Sequence, residues 1–404
     1  MSKLAVNGGP PVRTAPFPAW PRFDDAERRA LLRVLERGRW GGRVARAGGE
    51  TAAFEAEFAR FHDAPAALAV TNGTHALQLA LELAGVGPGD DVLVPALTPI
   101  PTSNAVRRCG ATPVPVDVDG LTYCLDPDRL DAARTGRTRA LIAVHLGGHV
   151  ADLDRVLRWA GRWGVAVIQD AAHAHGARWR GRGLGALGAV ATFSFMQSKV
   201  MTAGEGGAVL LDDDARYGDA FARHCLGRAP GRSPARFETA SSNYRMGEFA
   251  AAVLRAQLTR LAGQNERRER HWRLLAALLA GVPGLSPQGR DPRCTVHPHY
   301  LAPMVLDPEP FEGGLSRDRL VEAVQAEGIP VFPIFPPIYR LPAFWDAPGA
   351  GPRDAEEPAA SCPVSERIGA WGFFLRHEAL LGGERDVHDI ADAVTKVLDA
   401  HRRR

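Results

Sequence analysis

One lysine, Lys199, stands mid-chain in a protein that otherwise uses arginine for positive charge. Of 49 lysine and arginine residues, only Lys3, Lys199 and Lys396 are lysine, and the other two lie near the termini. Lys199 sits in "SFMQSKVMTAGEGG" (194–207), between an apolar run and a glycine cluster. A lone lysine ordinarily means a surface charge. An amine in a poorly solvated pocket, however, forms Schiff bases with carbonyl compounds, which a guanidinium cannot do. That chemistry gives a physical reason for the one exception to the arginine rule.

Two further stretches carry compatible chemistry. In "VTNGTHALQLALELAG" an apolar strand runs through Asn-Gly-Thr straight into an amphipathic helix. The helix start offers unpaired N–H groups and a positive dipole end, Gly73 allows close backbone approach, and Thr74 adds a hydroxyl. The pattern reads as a phosphate cradle or as a plain N-cap on a core helix. In "VAVIQDAAHAHGA" Asp170 ends an apolar strand. A carboxylate there is short of solvent and wants a cation, an arginine or the protonated ring nitrogen of a pyridoxal-phosphate-type cofactor. His173, three residues on, reads as a brace for the same ring or as a structural histidine.

These residues need elements to position them. Between residues 66 and 210 short apolar runs, "AALAV", "DVLVPAL", "TPVPVDVD", "RALIAVHL", "GVAVIQD" and "VATFSF", alternate with helical patterns. That alternation predicts an α/β fold with a mostly parallel central sheet covered by helices. Ligands in such sheets bind beyond the carboxyl ends of the strands, the rim where Gly73, Thr74, Asp170, Ser194 and Lys199 all fall. The expected organisation is an N-terminal arm (1–20), a large domain (21–260) and a smaller C-terminal α/β domain (261–404). A long helix past residue 247, interrupted near Gly263, bridges the last two. "PVFPIFPPIYRLPAFW" (330–345) is too proline-rich for a helix or central strand and reads as a fixed loop. Residues 346–363 read as a surface loop, and "HRRR" at the end as a solvated tail.

Several classes are disfavoured. The formal net charge is +3, with no basic stripe interleaved with aromatics, so nucleic acid is not expected as a partner. Five scattered cysteines without a C-x-x-C pair argue against disulfides or zinc and for a reducing cytoplasm. No apolar run is long enough for a signal peptide or a membrane span. "GLGALG" (183–188) spells a dinucleotide fingerprint but lacks the strand before it and the helix after it, so no nicotinamide site is expected. "HPHY" (297–300), with no carboxylate partner in view, reads as loop or cleft wall rather than metal site.

Taken together, "TNGTHAL", "QDAAHAHGA", "FSFMQSKVMTAGEGGAV" and "SSNYRMGEF" resemble the DegT/DnrJ-type aminotransferases, fold-type I pyridoxal phosphate enzymes that aminate keto sugars and keto cyclitols. The resemblance runs from "LAVNGGPPVRTAPFPAWP" to "LRHEALLGGE", nearly the whole chain. It implies a catalytic Lys199 bound to the cofactor aldehyde and shuttling the proton. It also implies Asp170 on the pyridine nitrogen, His173 beside the ring, and Gly73, Thr74 and Ser194 on the phosphate. Asn243 would reach the phosphate of the neighbouring subunit's cofactor in a homodimer with shared sites. Trp40, Tyr339, Arg376 and His377 are candidates for the substrate pocket. The implied reaction moves an amino group from glutamine or glutamate to a cyclic ketone, as in the scyllo-inosose aminotransferase branch. The alternatives are elimination and aromatisation, as in the 3-amino-5-hydroxybenzoate synthase branch, and a cofactor-binding accessory subunit without turnover. One departure stands out: where the family places a ring-stacking aromatic after "PALT", this chain has Pro99.

Overall fold

The computed structural model describes residues 3–42, 48–213, 216–228, 236–311, 315–346 and 356–402. Half of the expected 346–363 loop (347–355) and the last two residues of the basic tail lie outside them, and the described remainder departs from a loop by forming a short helix, Glu356–Ser361. Among the described residues nine strands precede residue 212: β1 Ala66–Val70, β2 Asp91–Pro95, β3 Thr112–Val116, β4 Thr138–Val144, β5 Ala166–Asp170, β6 Arg178–Trp179, β7 Arg182–Gly183, β8 Val190–Ser194 and β9 Gly207–Leu211. Seven of them form one sheet in the order β1-β9-β8-β5-β4-β2-β3. The four pairs from β8 to β3 are parallel, and β9 runs antiparallel to both β8 and β1. The mostly parallel α/β sheet read from the sequence is the one observed.

Both faces of this sheet are covered, which is why its strands are continuous apolar runs rather than alternating ones. Along β1, Ala67 and Ala69 join the core that contains Phe54, Phe58 and Trp159, while Leu68 and Val70 join the opposite core with Leu77 and Phe221. The period of two splits one short strand between two cores. The covering helices are α1 Asp25–Arg37, α2 Gly49–Phe61, α3 Gly73–Leu83, α4 Pro101–Arg108, α5 Leu130–Ala133, α6 Leu153–Trp163, α7 Tyr217–His224 and α8 Glu248–Leu278. Helix α1 starts with a capping box between Asp24 and Glu27. Helix α2 follows Gly48 and has no cap of its own. The buried Glu248 carboxylate at the start of α8 supplies one, accepting from the Thr51 amide (3.2 Å) and hydroxyl (2.6 Å).

The second sheet is built from β10 Leu285–Pro287, β12 Leu301–Leu306, β13 Val331–Pro333 and β14 Gly372–Arg376, in the order β10-β12-β14-β13 and antiparallel throughout, while β11 Cys294–Val296 joins β6 and β7. A third core, with Leu275, Met304, Phe373 and Val394, packs it against α8, Arg317–Ala326 and Glu384–Ala400. Two expectations change here. Helix α8 runs unbroken through Gly263, where an added Cβ would meet nothing within 4 Å, so that glycine costs only propensity. The proline-rich stretch is no single loop: β13 takes the edge of the second sheet, where missing N–H groups are tolerated, and a short helix, Pro342–Trp345, follows.

Three buried histidines fasten loops beneath the first sheet. His62 accepts the Gly176 N–H on Nε2 (3.0 Å) and donates from Nδ1 to Phe58 O (3.2 Å). His145 accepts Ala151 N–H on Nδ1 and faces Gln169 Oε1 from Nε2, both at 3.1 Å. His149 accepts Asp291 N–H on Nε2 (2.9 Å) and donates to Val150 O (2.8 Å). Each ring needs one bare nitrogen, so the neutral form is built into the geometry. Burial, the largest cause, pushes all three down to about 4.

Candidate active site

At the carboxyl rim of the first sheet lies a cleft of about 660 Å³ lined by residues from α3, the β2–α4 connection, β5, β8, the Lys199 turn and the start of β12. Gly73, Thr74, Asp170, His173, Ser194 and Lys199 all line it. Six residues spread over 127 positions meet because each follows a strand or opens a helix at the same edge.

The anion cradle sits where α3 meets β8. Asn72 caps α3, its Oδ1 accepting His75 N–H at 2.8 Å, and its carbonyl accepts Ala76 N–H. Among the described residues the amides of Gly73 and Thr74 have no partner, so two N–H groups at a helix start remain for an anion. Gly73 is required by space rather than by backbone angle: a Cβ there would stand 2.6 Å from Ser194 Cβ. The end of β8 is held in turn by His175 Nε2, which donates to Ser194 O at 2.8 Å. His175 is buried, and its ring is held well below the ordinary histidine range by desolvation first and Lys199 second.

Asp170 closes β5 with its carboxylate buried. Desolvation pushes this acid up, opposed by the Thr102 hydroxyl, the Ala172 amide and Lys199. Thr102 Oγ1 donates to Oδ2 at 2.9 Å and Ala172 N–H to Oδ1 at 3.2 Å. His173 accepts Gly147 N–H on Nδ1 at 3.4 Å, leaving Nε2 to carry the proton. Burial, then Lys199, hold that ring neutral.

Lys199 is 7% exposed, with Nζ 4.3 Å from the centre of the Tyr300 ring. Its turn is gripped from three sides. Trp20 Nε1 donates to Gln197 O (3.0 Å), His377 Nε2 to Ser198 O (3.0 Å), and Ser198 Oγ bonds Tyr300 OH (2.8 Å). Tyr300 also lies 4.4 Å from the His173 ring, and Trp20 meets His377 edge-on at 4.6 Å. Thus "HPHY" is cleft wall through its tyrosine. His297 and His299 stack behind it at 3.9 Å, with His299 on Glu269, and no metal-holding cluster occurs among the described residues.

The remaining candidates lie elsewhere. His377 supports the Lys199 turn from behind and does not line the cleft. Tyr339 is wholly buried in the second core, because the turn carrying it packs down onto the sheet. The Arg376 guanidinium lies 4.2 Å over the Phe332 ring, outside the cleft. Trp40 is half exposed, 5.9 Å from Phe249. Asn243 is exposed, its side chain accepting the Arg245 amide at 3.3 Å, and does not reach its own chain's cleft. Pro99 does line the cleft, beside Pro101, while Tyr300, Phe335 and Phe374 bring aromatic surface to it. Sequence reasoning gave no role to Thr98, Thr102, His175, Tyr300 or Trp20, although His175 lies in "QDAAHAHGA", Tyr300 ends "HPHY", and the two hydroxyls stand four residues apart in "PALTPIPTSN".

The donor set suits a flat aromatic aldehyde that carries a phosphate. Unpaired amides and the Ser194 hydroxyl suit the anion, a buried strand-end carboxyl group suits a protonated ring nitrogen, and one amine suits the carbonyl. The DegT/DnrJ/EryC1/StrS aminotransferase family matches residues 22–395. A 3-amino-5-hydroxybenzoate synthase of Amycolatopsis mediterranei is 47% identical over 95% of this chain and 99% of its own. An L-glutamine:2-deoxy-scyllo-inosose aminotransferase of Streptoalloteichus tenebrarius is 40% identical over 98% of each. The crystal structure of a 3-amino-5-hydroxybenzoic acid synthase superposes with a TM-score of 0.89 at 45% identity, covering 96% of this chain and 100% of that one.

Proposed function

The chain belongs to the DegT/DnrJ/EryC1/StrS aminotransferase family, and from that premise we propose that its cleft holds pyridoxal phosphate and serves amino transfer from glutamine or glutamate to a cyclic ketone. A keto cyclitol is the favoured acceptor and a nucleotide-linked keto sugar the second. One observation carries the reading: a buried amine, a buried strand-end carboxylate and an unpaired helix start with its glycine share one cleft. When bound, the cofactor supplies a carbonyl for the amine and an electron sink for the bond to be broken.

The chain's own groups do the rest. The Gly73 and Thr74 amides and the Ser194 hydroxyl would hold the phosphate, and Asp170, with Thr102 and Ala172 donating to its carboxylate, would face the ring nitrogen's proton. His173, its Nδ1 taken by the Gly147 amide, would sit beside the ring. Lys199 Nζ takes the proton from the donor's α-carbon, and in the second half gives one to the acceptor carbon that receives nitrogen. The balance is one 2-oxo acid and one cyclic amine from one amino acid and one ketone. Two copies share the sites, with Asn243 turned to the partner's cradle; a monomer in sedimentation would rule out that sharing.

The test is spectroscopic. Added pyridoxal phosphate should give a visible band that shifts with glutamine or glutamate, and borohydride should fix the cofactor to the wild type but not to Lys199→Ala. A band that ignores every amino donor would rule out transamination while leaving a cofactor-binding subunit open. The 47% identity to a 3-amino-5-hydroxybenzoate synthase favours a second reading, in which Lys199 moves protons on a ring that loses water and becomes aromatic. Products separate the two: transamination consumes donor in step with product, whereas aromatisation yields an ultraviolet-absorbing ring with no donor consumed.

A further inference from the structure

Behind Asp170 two buried hydroxyls stand in series. Thr98 Oγ1 lies 3.0 Å from Thr102 Oγ1, which lies 2.9 Å from Asp170 Oδ2. Both threonines are buried, at 0% and 1% exposure. A hydroxyl has one proton to give. Thr102 gives its proton to the carboxylate, so it must accept from Thr98, and the chain has a direction that ends on Asp170.

The backbone fixes this arrangement. The chain leaves β2 at Pro95, and Pro101 occupies the first turn of α4, where its missing N–H costs nothing. Thr98 and Thr102 thereby come four residues apart across the helix start, and Thr102 N–H closes onto Pro99 O at 3.2 Å. Pro99 and Pro101 form cleft wall, while Thr98 before them bonds Thr102 after them, and Thr102 bonds Asp170. An acid this deeply buried favours its neutral form, and a neutral acid cannot hold a proton on a ring nitrogen.

We propose that Thr102, backed by Thr98, is a positioning residue that keeps Asp170 ionised and turned toward the ring nitrogen of the cofactor. The proposal rests on the cofactor reading above. It accounts for a threonine pair that packing alone would fill equally well with valine. It also gives the "PALTPIPTSN" segment a task beyond lining the cleft.

The experiment compares two ligands on the apoprotein: pyridoxal phosphate and its 1-deaza analogue, in which a ring CH replaces the nitrogen. Wild type should prefer the natural compound. Thr102→Val, which keeps the shape, should weaken pyridoxal phosphate about ten-fold, the size of one hydrogen bond to a charged group, and leave the deaza analogue nearly unchanged. Thr102→Ser should restore the preference, and Thr98→Val should reduce it less than Thr102→Val does. Equal weakening of both ligands would mean packing only and overturn the proposal, as would a Thr102→Val protein that keeps the full preference. Wild type that binds neither compound would sink the cofactor reading and this proposal with it, so the two failures are told apart.

Discussion

Replacing Gly73 with alanine tests the anion cradle directly. The new Cβ would stand 2.6 Å from Ser194 Cβ and 3.2 Å from Ser194 Cα and Oγ. Carbon atoms in contact rest about 3.5–4.0 Å apart, so α3 and β8 must separate by roughly 1 Å at the cradle. An amide that donated to phosphate at about 2.9 Å would then lie beyond hydrogen-bond range. Losing one such bond to a charged group costs about 1.5–3 kcal/mol, or between about 10-fold and about 150-fold in Kd. The assay is titration of apoprotein with pyridoxal phosphate, followed by its visible band, beside the same titration with pyridoxal, which lacks the phosphate. Only the first should weaken. Overpacking also costs the fold about 1–3 kcal/mol, so the apoprotein should melt at lower temperature without losing its transition. Unchanged affinity for pyridoxal phosphate, or an equal loss for pyridoxal, would refute the assignment of this helix start to the phosphate.

Two other outcomes are expected. Unfolded histidines take protons near pH 6.5 while folded His62, His145 and His149 resist until about 4, so the unfolded state binds more protons in that window: stability is fully present above pH 6.5 and falls as pH drops toward 4. With two to three protons in play near pH 5, the slope is roughly 3–4 kcal/mol per pH unit, and a melting temperature that stays level from pH 7 to 4.5 would contradict the neutral-ring geometry. Trp20→Phe keeps the ring on His377 but removes the N–H bond to Gln197 O, worth about 1 kcal/mol. It should slow attachment of pyridoxal phosphate in stopped-flow absorbance several-fold, and attachment at the wild-type rate would show that the arm does not steady the lysine turn.

The parts of this molecule legible in its sequence are those fixed by neighbours in the chain. Strands buried on both faces must be apolar throughout, so β1 to β5 announce themselves; a strand-to-helix junction with Asn72 and Gly73 does the same. The parts that escaped depend on residues far apart. Glu248 caps α2 from 197 positions away, and no local pattern links the two. Gly263 looks like a helix break because sequence shows its missing side chain and not the open solvent that makes the loss tolerable. Tyr339 and Arg376 look like pocket residues because an aromatic or a guanidinium in a proline-rich or strand-end setting reads the same whether it faces a cleft or a core. Pro99 reads as a missing aromatic. Spatially the aromatic surface comes from Tyr300, which lies 102 positions from the Ser198 hydroxyl it bonds.

That distance bears on how Lys199 is placed. Its turn is held by Trp20, Tyr300 and His377, which lie 177, 102 and 179 positions from their partners in Gln197 and Ser198. The amine is therefore placed only once the N-terminal arm and the second sheet have both docked on the first. Its immediate company is equally selective. His173, His175 and His377 are all kept neutral, by burial first and with Lys199 itself contributing, and Nζ stands 4.3 Å from the centre of the Tyr300 ring without an ion-pair partner among the described residues. An ion pair would have fixed the side chain as a counter-ion and cost it the freedom to bond carbon. Arginine elsewhere in this chain fills the ion-pair role, as Arg255 does between Glu50 and Glu57 and Arg293 between Asp152 and Asp291. Lysine is not barred from pairing, since Lys396 meets the buried Glu327 carboxylate at 2.7 Å near the C-terminus; among the described residues it is Lys199 in particular that has no ion-pair partner.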